Sequence, residues 1–189
     1  MDLTEKPKGK LRTGFTTGTC ATAASKAAIL AITEQKKIES ISVLLPKRDK
    51  IEIKIKCCNF QKENARCTVI KDGGDDPDVT HGAEIIVDLE LTSKTNIIEI
   101  DGGDGVGRVT KPGLGLEIGE AAINPIPKKM IIENIIEIAE SILKKNGIKL
   151  VISVPKGKEI ALKTDNPRLG IIGGISILGT SGIVIPYST

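Results

Sequence analysis

Four aspartates and the chain's only histidine fall within eleven positions, Asp72-Gly-Gly-Asp-Asp-Pro-Asp-Val-Thr-His-Gly82. Carboxylates at that density can bind a hard cation, steady a ligand's positive charge, or supply a base beside His81. The spacing is not that of an EF-hand, because no glutamate closes the loop. Aspartate and glycine also build ordinary solvated turns, and a lone histidine is often a packed or capping group, so a plainly structural reading stays open.

Two further stretches carry chemistry-bearing groups. Arg12-Thr-Gly-Phe-Thr-Thr-Gly-Thr19 opens an alanine-rich segment. A helix start there offers unpaired amides and a positive dipole end, so a carboxylate or phosphate could dock at Thr16, Thr17, Gly18 and Thr19 beside Arg12. Hydroxyl capping of the helix explains the same residues. The Lys-Ser/Thr pair of a Walker A loop is missing, and the nearest lysine, Lys26, lies well inside the helix. The third stretch, residues 101–119, holds seven glycines in nineteen positions. Gly102, Gly103 and Gly105 would let the backbone approach a ligand closely, with Arg108 and Lys111 as cations. Neither half of it has dinucleotide-fingerprint spacing.

These stretches need elements to hold them. Six alanines followed by Ile29, Leu30 and Ile32 predict a helix over residues 19–33. A stripe from Ile131 to Leu143, with Pro125 and Pro127 ahead of it and Asn146-Gly147 behind, predicts a second helix from Lys128 onward. Strands are expected over 38–45, 50–56, 65–70, 84–91, 96–100 and 150–154, and an apolar, glycine-broken stretch over 170–185. Runs of strands between separated helices predict an α+β domain spanning 1–189: an antiparallel or mixed sheet with two main helices packed on it in two layers, not a doubly wound Rossmann fold. The strand ends around the second and third stretches predict that all three meet at one rim of the sheet.

Composition narrows the partners. Three aromatics, Phe15, Phe60 and Tyr187, cannot form base-stacking platforms, and 27 basic against 24 acidic residues leave a net charge of only +3, so no nucleic-acid partner is expected. No apolar run approaches a membrane span, and the polar start over residues 1–12 has no hydrophobic segment behind it; a cytoplasmic protein with no membrane partner is expected. Cys20, Cys57, Cys58 and Cys67 contain no C-x-x-C spacing and read as reduced, mostly buried thiols rather than a metal site. Of the adjacent Cys57 and Cys58, at the end of an alternating strand, only one can face the core.

Five blocks occur in order: Thr13-Gly-Phe-Thr-Thr-Gly-Thr-Cys-Ala21, Asp75-Asp-Pro-Asp-Val-Thr-His-Gly-Ala83, Asp101-Gly-Gly-Asp-Gly-Val-Gly-Arg-Val-Thr-Lys-Pro-Gly113, Gly119-Glu-Ala-Ala-Ile-Asn-Pro125 and Asn166-Pro-Arg-Leu-Gly-Ile-Ile-Gly-Gly-Ile-Ser-Ile-Leu-Gly-Thr180. Together they resemble the signature blocks of the CbiD family, the cobalt-precorrin-5B C1-methyltransferases of anaerobic cobalamin biosynthesis. The resemblance implies S-adenosylmethionine-dependent methylation of ring carbon C1 of a cobalt tetrapyrrole, giving cobalt-precorrin-6A, on a fold unlike the usual tetrapyrrole methyltransferases. Cobalt would arrive inside the substrate, with no metal held by the protein.

The substrate's carboxylates would then meet Arg12, the Thr16–Thr19 helix start, Arg108, Lys111 and Arg168. Asp75, Asp76, Asp101 and Asp104, with Gly102, Gly103 and Gly105, would face the sulfonium cosubstrate. Acid–base help would come from Asp78 or His81. The resemblance covers the N-terminal part of such proteins and the C-terminal half is missing, so the implied partners include a separate C-terminal half or further copies of the chain. The alternative reading is a non-catalytic tetrapyrrole-binding or assembly domain.

Overall fold

The computed structural model describes residues 10–187; the remainder of the polar start, residues 1–9, lies outside them. In chain order the elements are β1 (Gly14–Phe15), α1 (Thr17–Glu34), β2 (Ser40–Leu44), β3 (Lys50–Lys54), β4 (Cys57–Phe60), β5 (Asn64–Ile70), β6 (Glu84–Thr92), β7 (Ile98–Gly102), β8 (Gly105–Val106), β9 (Arg108–Val109), α2 (Pro125–Leu143), β10 (Gly147–Ser153), α3 (Gly157–Ala161), α4 (Asn166–Leu169), β11 (Ile171–Ile172), β12 (Gly174–Ile175) and β13 (Ile183–Val184).

Alanine makes α1 narrow on every side, so neighbours can approach from all directions. Fifteen of its eighteen residues are buried, which makes it a central helix rather than an amphipathic surface one. Thr16 caps it, its hydroxyl accepting from the Thr19 N–H at 3.1 Å, and Gln35 ends it in the left-handed region at φ 49°. α1 packs against β5, β6 and α2.

The main sheet has the order β4-β5-β6-β10-β7. Its first three contacts are antiparallel, and β10 joins β7 in parallel after the crossover through α2. Period-2 alternation sends Ala65, Cys67, Val69, Ile85, Val87, Leu89, Ile148, Leu150 and Ile152 into the core beneath the helices. Asp88 pairs in register with Arg66 on the open face, where the guanidinium donates to both carboxylate oxygens at 2.7 and 2.8 Å. The fold is therefore α+β with a mixed sheet and two main helices, as its pattern predicts.

Several boundaries differ from the expectations. α1 extends slightly past 19–33, and α2 begins at Pro125 because Asn124 occupies the cap position and proline is suited to the first helical turn. Ala139 (φ −120°) breaks α2's regularity, a departure with no sequence cue. β7 lies two residues later than 96–100. Cys57 and Cys58 open a separate strand rather than closing one; Cys58 is buried and Cys57 half-buried. Residues 101–119 are not one irregular loop, since β8 and β9 pair with β12 and β11. Two-residue strands have no periodicity to detect, and their partners lie more than 60 residues away.

Candidate functional site

The second and third stretches leave the main sheet at one edge, and the first is tied to the second there. β5 ends and β6 begins there, Ile70 opposite Glu84, with residues 72–82 between them. β7 and β10 end side by side at the same edge, Gly102 opposite Ile152. The first stretch is tied to the second through backbone: the Phe15 N–H donates to the Asp72 carbonyl at 2.7 Å and the Asp75 N–H to the Arg12 carbonyl at 2.9 Å. A side chain at Gly14 would put its Cβ within 2.1 Å of the Gly73 carbonyl carbon, so only glycine permits this approach.

Beside this junction lies a cavity of about 230 Å³. Thr16, Thr17, Lys71, Asp78, Thr80, Thr164, Asn166 and Ser176 supply its polar groups, and Val79, Ile175, Leu178 and Val184 its apolar walls. Lys71 is only 2% exposed. Its Nζ donates to Asp78 Oδ2 at 2.5 Å, while Asp78 Oδ1 accepts from the N–H and hydroxyl of Thr80 at 2.7 and 2.5 Å. Burial works against charge on Asp78, but the bonds from Lys71 and Thr80 outweigh it and hold the carboxyl below its ordinary range. A carboxylate so placed is a poor proton acceptor and a firm holder of Lys71.

The α1 start is less open than its sequence implies. The Gly18 N–H donates to the Leu178 carbonyl at 2.9 Å, Thr19's amide is taken by Thr16, and Thr17's hydroxyl accepts from the Leu178 N–H at 2.9 Å. Thr16 and Thr17 line the cavity, but the amides of Gly18 and Thr19 behind them are already taken. Gly18 also sits against Pro127.

Outside the cavity, the Arg12 guanidinium forms a two-pronged pair with Asp72 at 2.5 and 3.0 Å, and that hydrogen bonding holds the Asp72 carboxyl low despite burial. Asp75 Oδ2 accepts from the Arg12 N–H at 2.6 Å, and Asp76 Oδ1 from the Tyr187 N–H at 2.9 Å. His81 Nδ1 accepts from the Gly73 N–H at 3.0 Å.

The third stretch shares the rim but does not line the cavity. Arg108 is engaged within the protein, its guanidinium 2.8 Å from Asp101 and donating to the Gly102 carbonyl at 2.6 Å. Burial opposes charge on Asp101, and the Arg108 bond more than compensates, keeping its carboxyl low. Asp104 pairs with Lys158 at 3.0 Å. A Cβ on Gly102 would meet Val106 at 2.7 Å and one on Gly103 would meet Ser153 at 2.4 Å. Gly105, at φ +72°, would collide with the Val154 carbonyl oxygen at 1.7 Å. These glycines let protein segments approach one another, and β8 thereby braces β12, whose Ile175 walls the cavity.

Two cations remain outward. Lys111 lays its stem over Gly170 and makes no ion pair among the described residues; Arg168 is 87% exposed, with Asp165 at 3.6 Å. Sequence reasoning assigns no site role to Lys71, Thr164, Asn166 or Ser176. Lys71 was detectable: it continues the inward parity of Ala65, Cys67 and Val69, where a lysine is out of place without a partner.

The arrangement defines an α+β domain outside the doubly wound class, with a small polar-floored cavity at one sheet edge and exposed cations beyond it. The chain belongs to the CbiD family, whose family model matches residues 4–186. It is 52% identical to the cobalt-precorrin-5B C(1)-methyltransferase of Geobacillus kaustophilus, 54% to that of Leptospira interrogans serovar copenhageni and 50% to that of Picrophilus torridus. Those matches cover 96%, 95% and 94% of this chain, and 49%, 48% and 51% of the relatives. The crystal structure of the cobalamin biosynthesis protein (cbiD) from Archaeoglobus fulgidus matches with a TM-score of 0.70 at 38% identity, over 96% of this chain and 57% of that one. The chain thus spans about half the length of the curated relatives it matches. No helix among the described residues is long and apolar enough to cross a membrane.

Proposed function

We propose that this chain supplies the tetrapyrrole-holding part of a methyltransferase that moves the methyl group of S-adenosylmethionine to ring carbon C1 of cobalt-precorrin-5B. The observation that carries this reading is identity of about half over nearly the whole chain to relatives bearing that name. The reaction is an in-line displacement at carbon in which the macrocycle supplies the nucleophile and the sulfonium the leaving group. Protein catalysis is then chiefly alignment of two reactants and compensation of charge, with no covalent nucleophile on the chain.

The geometry supports the following parts within this reading. Lys111 and Arg168 offer exposed cations to substrate carboxylates. Arg12 and Arg108 order the rim by gripping Asp72 and Asp101. Asp75, Asp76 and Asp104 keep negative charge near where a sulfonium would sit. Asp78 acts by positioning Lys71. The alternative reading is a domain that holds the tetrapyrrole for a partner and performs no chemistry itself.

The test is methyl transfer in vitro. Chain alone, and chain mixed with the separately expressed remainder of a full-length relative, are incubated with cobalt-precorrin-5B and methyl-labelled S-adenosylmethionine. Label is expected in the tetrapyrrole with the mixture. Substrate binding without label in either arm favours the holding domain, and neither binding nor label overturns both readings.

A further inference from the structure

We propose that the cavity beside the α1 start is a slot for a short aliphatic carboxylate arm, with Lys71 as its anchor. An ammonium has three N–H donors. Asp78 takes one, and no second acceptor for the Lys71 Nζ exists among the described residues. A group 2% exposed cannot satisfy the other two donors in bulk water, and unmet donors on a buried charge are costly. Lys71 lines the cavity, so that space is where an acceptor belongs.

The rest of the slot matches the same chemistry. Val79, Ile175, Leu178 and Val184 wall it and suit methylene groups, with the Lys71 ammonium as the charged end. The extra negative charge is tolerable because Thr80 already donates twice to Asp78 and the positive end of the 18-residue α1 faces the same space. At about 230 Å³ the slot falls short of the roughly 300–1,000 Å³ of pockets that enclose whole drug-sized ligands. It takes an arm, and the body of the ligand stays outside. The carboxylate chemistry follows from the cavity; its place in methyl transfer rests on the function proposed above. The arm would come either from an acetate or propionate of the macrocycle or from the amino-acid end of the methyl donor.

Propionate is the probe, followed by saturation-transfer NMR from protein methyl groups on the whole chain. The native protein should transfer saturation to propionate. Lys71→Met should abolish the transfer, and so should Val79→Trp, which blocks the slot from its half-exposed mouth and leaves the ion pair untouched should Lys71→Met fail to fold. Displacement of propionate by S-adenosylhomocysteine assigns the slot to the donor, and displacement by cobyrinic acid, a corrin with free carboxylate arms, assigns it to the macrocycle. Absence of transfer in the native protein, transfer undiminished in folded Val79→Trp, or displacement by neither ligand overturns the proposal. Because the probe requires no methyl transfer, propionate binding without turnover leaves the slot standing and counts only against the proposed reaction.

Discussion

The Gly73 N–H donates to His81 Nδ1 at 3.0 Å, which leaves the proton of the neutral imidazole on Nε2 and the basic nitrogen already occupied. Asp72 lies 3.8 Å from the same nitrogen, too far to compete for it. His81 therefore fastens the acidic loop, with Nδ1 committed to Gly73. His81→Phe should cost about 1 kcal/mol of stability through the lost hydrogen bond and leave kcat of the assembled enzyme within a few-fold. A drop of a hundredfold in kcat, with the fold intact, would restore His81 as an acid–base group.

Gly105 makes a severe packing prediction. Its positive φ and the Val154 carbonyl 1.7 Å from a would-be Cβ leave no room for alanine. Gly105→Ala should destabilise the domain by about 3 kcal/mol or more, read by guanidinium unfolding. An alanine variant with unchanged unfolding midpoint would show that the knot between β8 and residue 154 is wrongly drawn.

Acid sensitivity follows from carboxyls held low. Asp78 has a folded pKa below its unfolded value of about 3.9. Its contribution is fully present above the unfolded value and is lost as pH falls through the folded one. The melting temperature should hold between pH 7 and 5 and fall below about pH 4. Asp78→Asn should lie below the native protein at pH 6 and close on it as pH falls through the folded pKa; a gap that stays constant as the native protein is acidified would contradict the ion-pair account.

Thiol chemistry separates the four free cysteines. Burial pushes the Cys20 thiol up to about 12 and raises that of Cys67, so neither forms thiolate at neutral pH. Ellman's reagent should modify Cys57 alone in the native protein and all four thiols after denaturation. Rapid native modification of Cys20 would mean that α1 opens at its start.

Much of this was legible in the residues. Alanine periodicity locates α1, alternation locates β5, β6 and β10, and Gly/Asp clustering marks the rim, because each is a local consequence of side-chain size or backbone freedom. What stayed hidden depends on distant partners. Arg108 reads as a free cation until Asp101 and the Gly102 carbonyl are folded against it, and Gly102, Gly103 and Gly105 read as ligand-facing until Val106, Ser153 and Val154 occupy their missing side chains. Lys71 lies one residue past β5, and the strand's inward parity, followed that one step further, marks it as a buried lysine.

The central claim, that this rim holds a carboxylate-bearing cobalt tetrapyrrole, is tested most directly by titrating the chain with cobalt-precorrin-5B and following the corrinoid absorption spectrum at low and high salt. Saturable binding is predicted, weakening by about tenfold as the Debye length shrinks from ~10 to ~3 Å between 0.1 and 1 M salt, and weakening further in the Lys111→Ala/Arg168→Ala double variant at low salt. No saturable change at any salt, or binding indifferent to both salt and those two cations, would contradict the account.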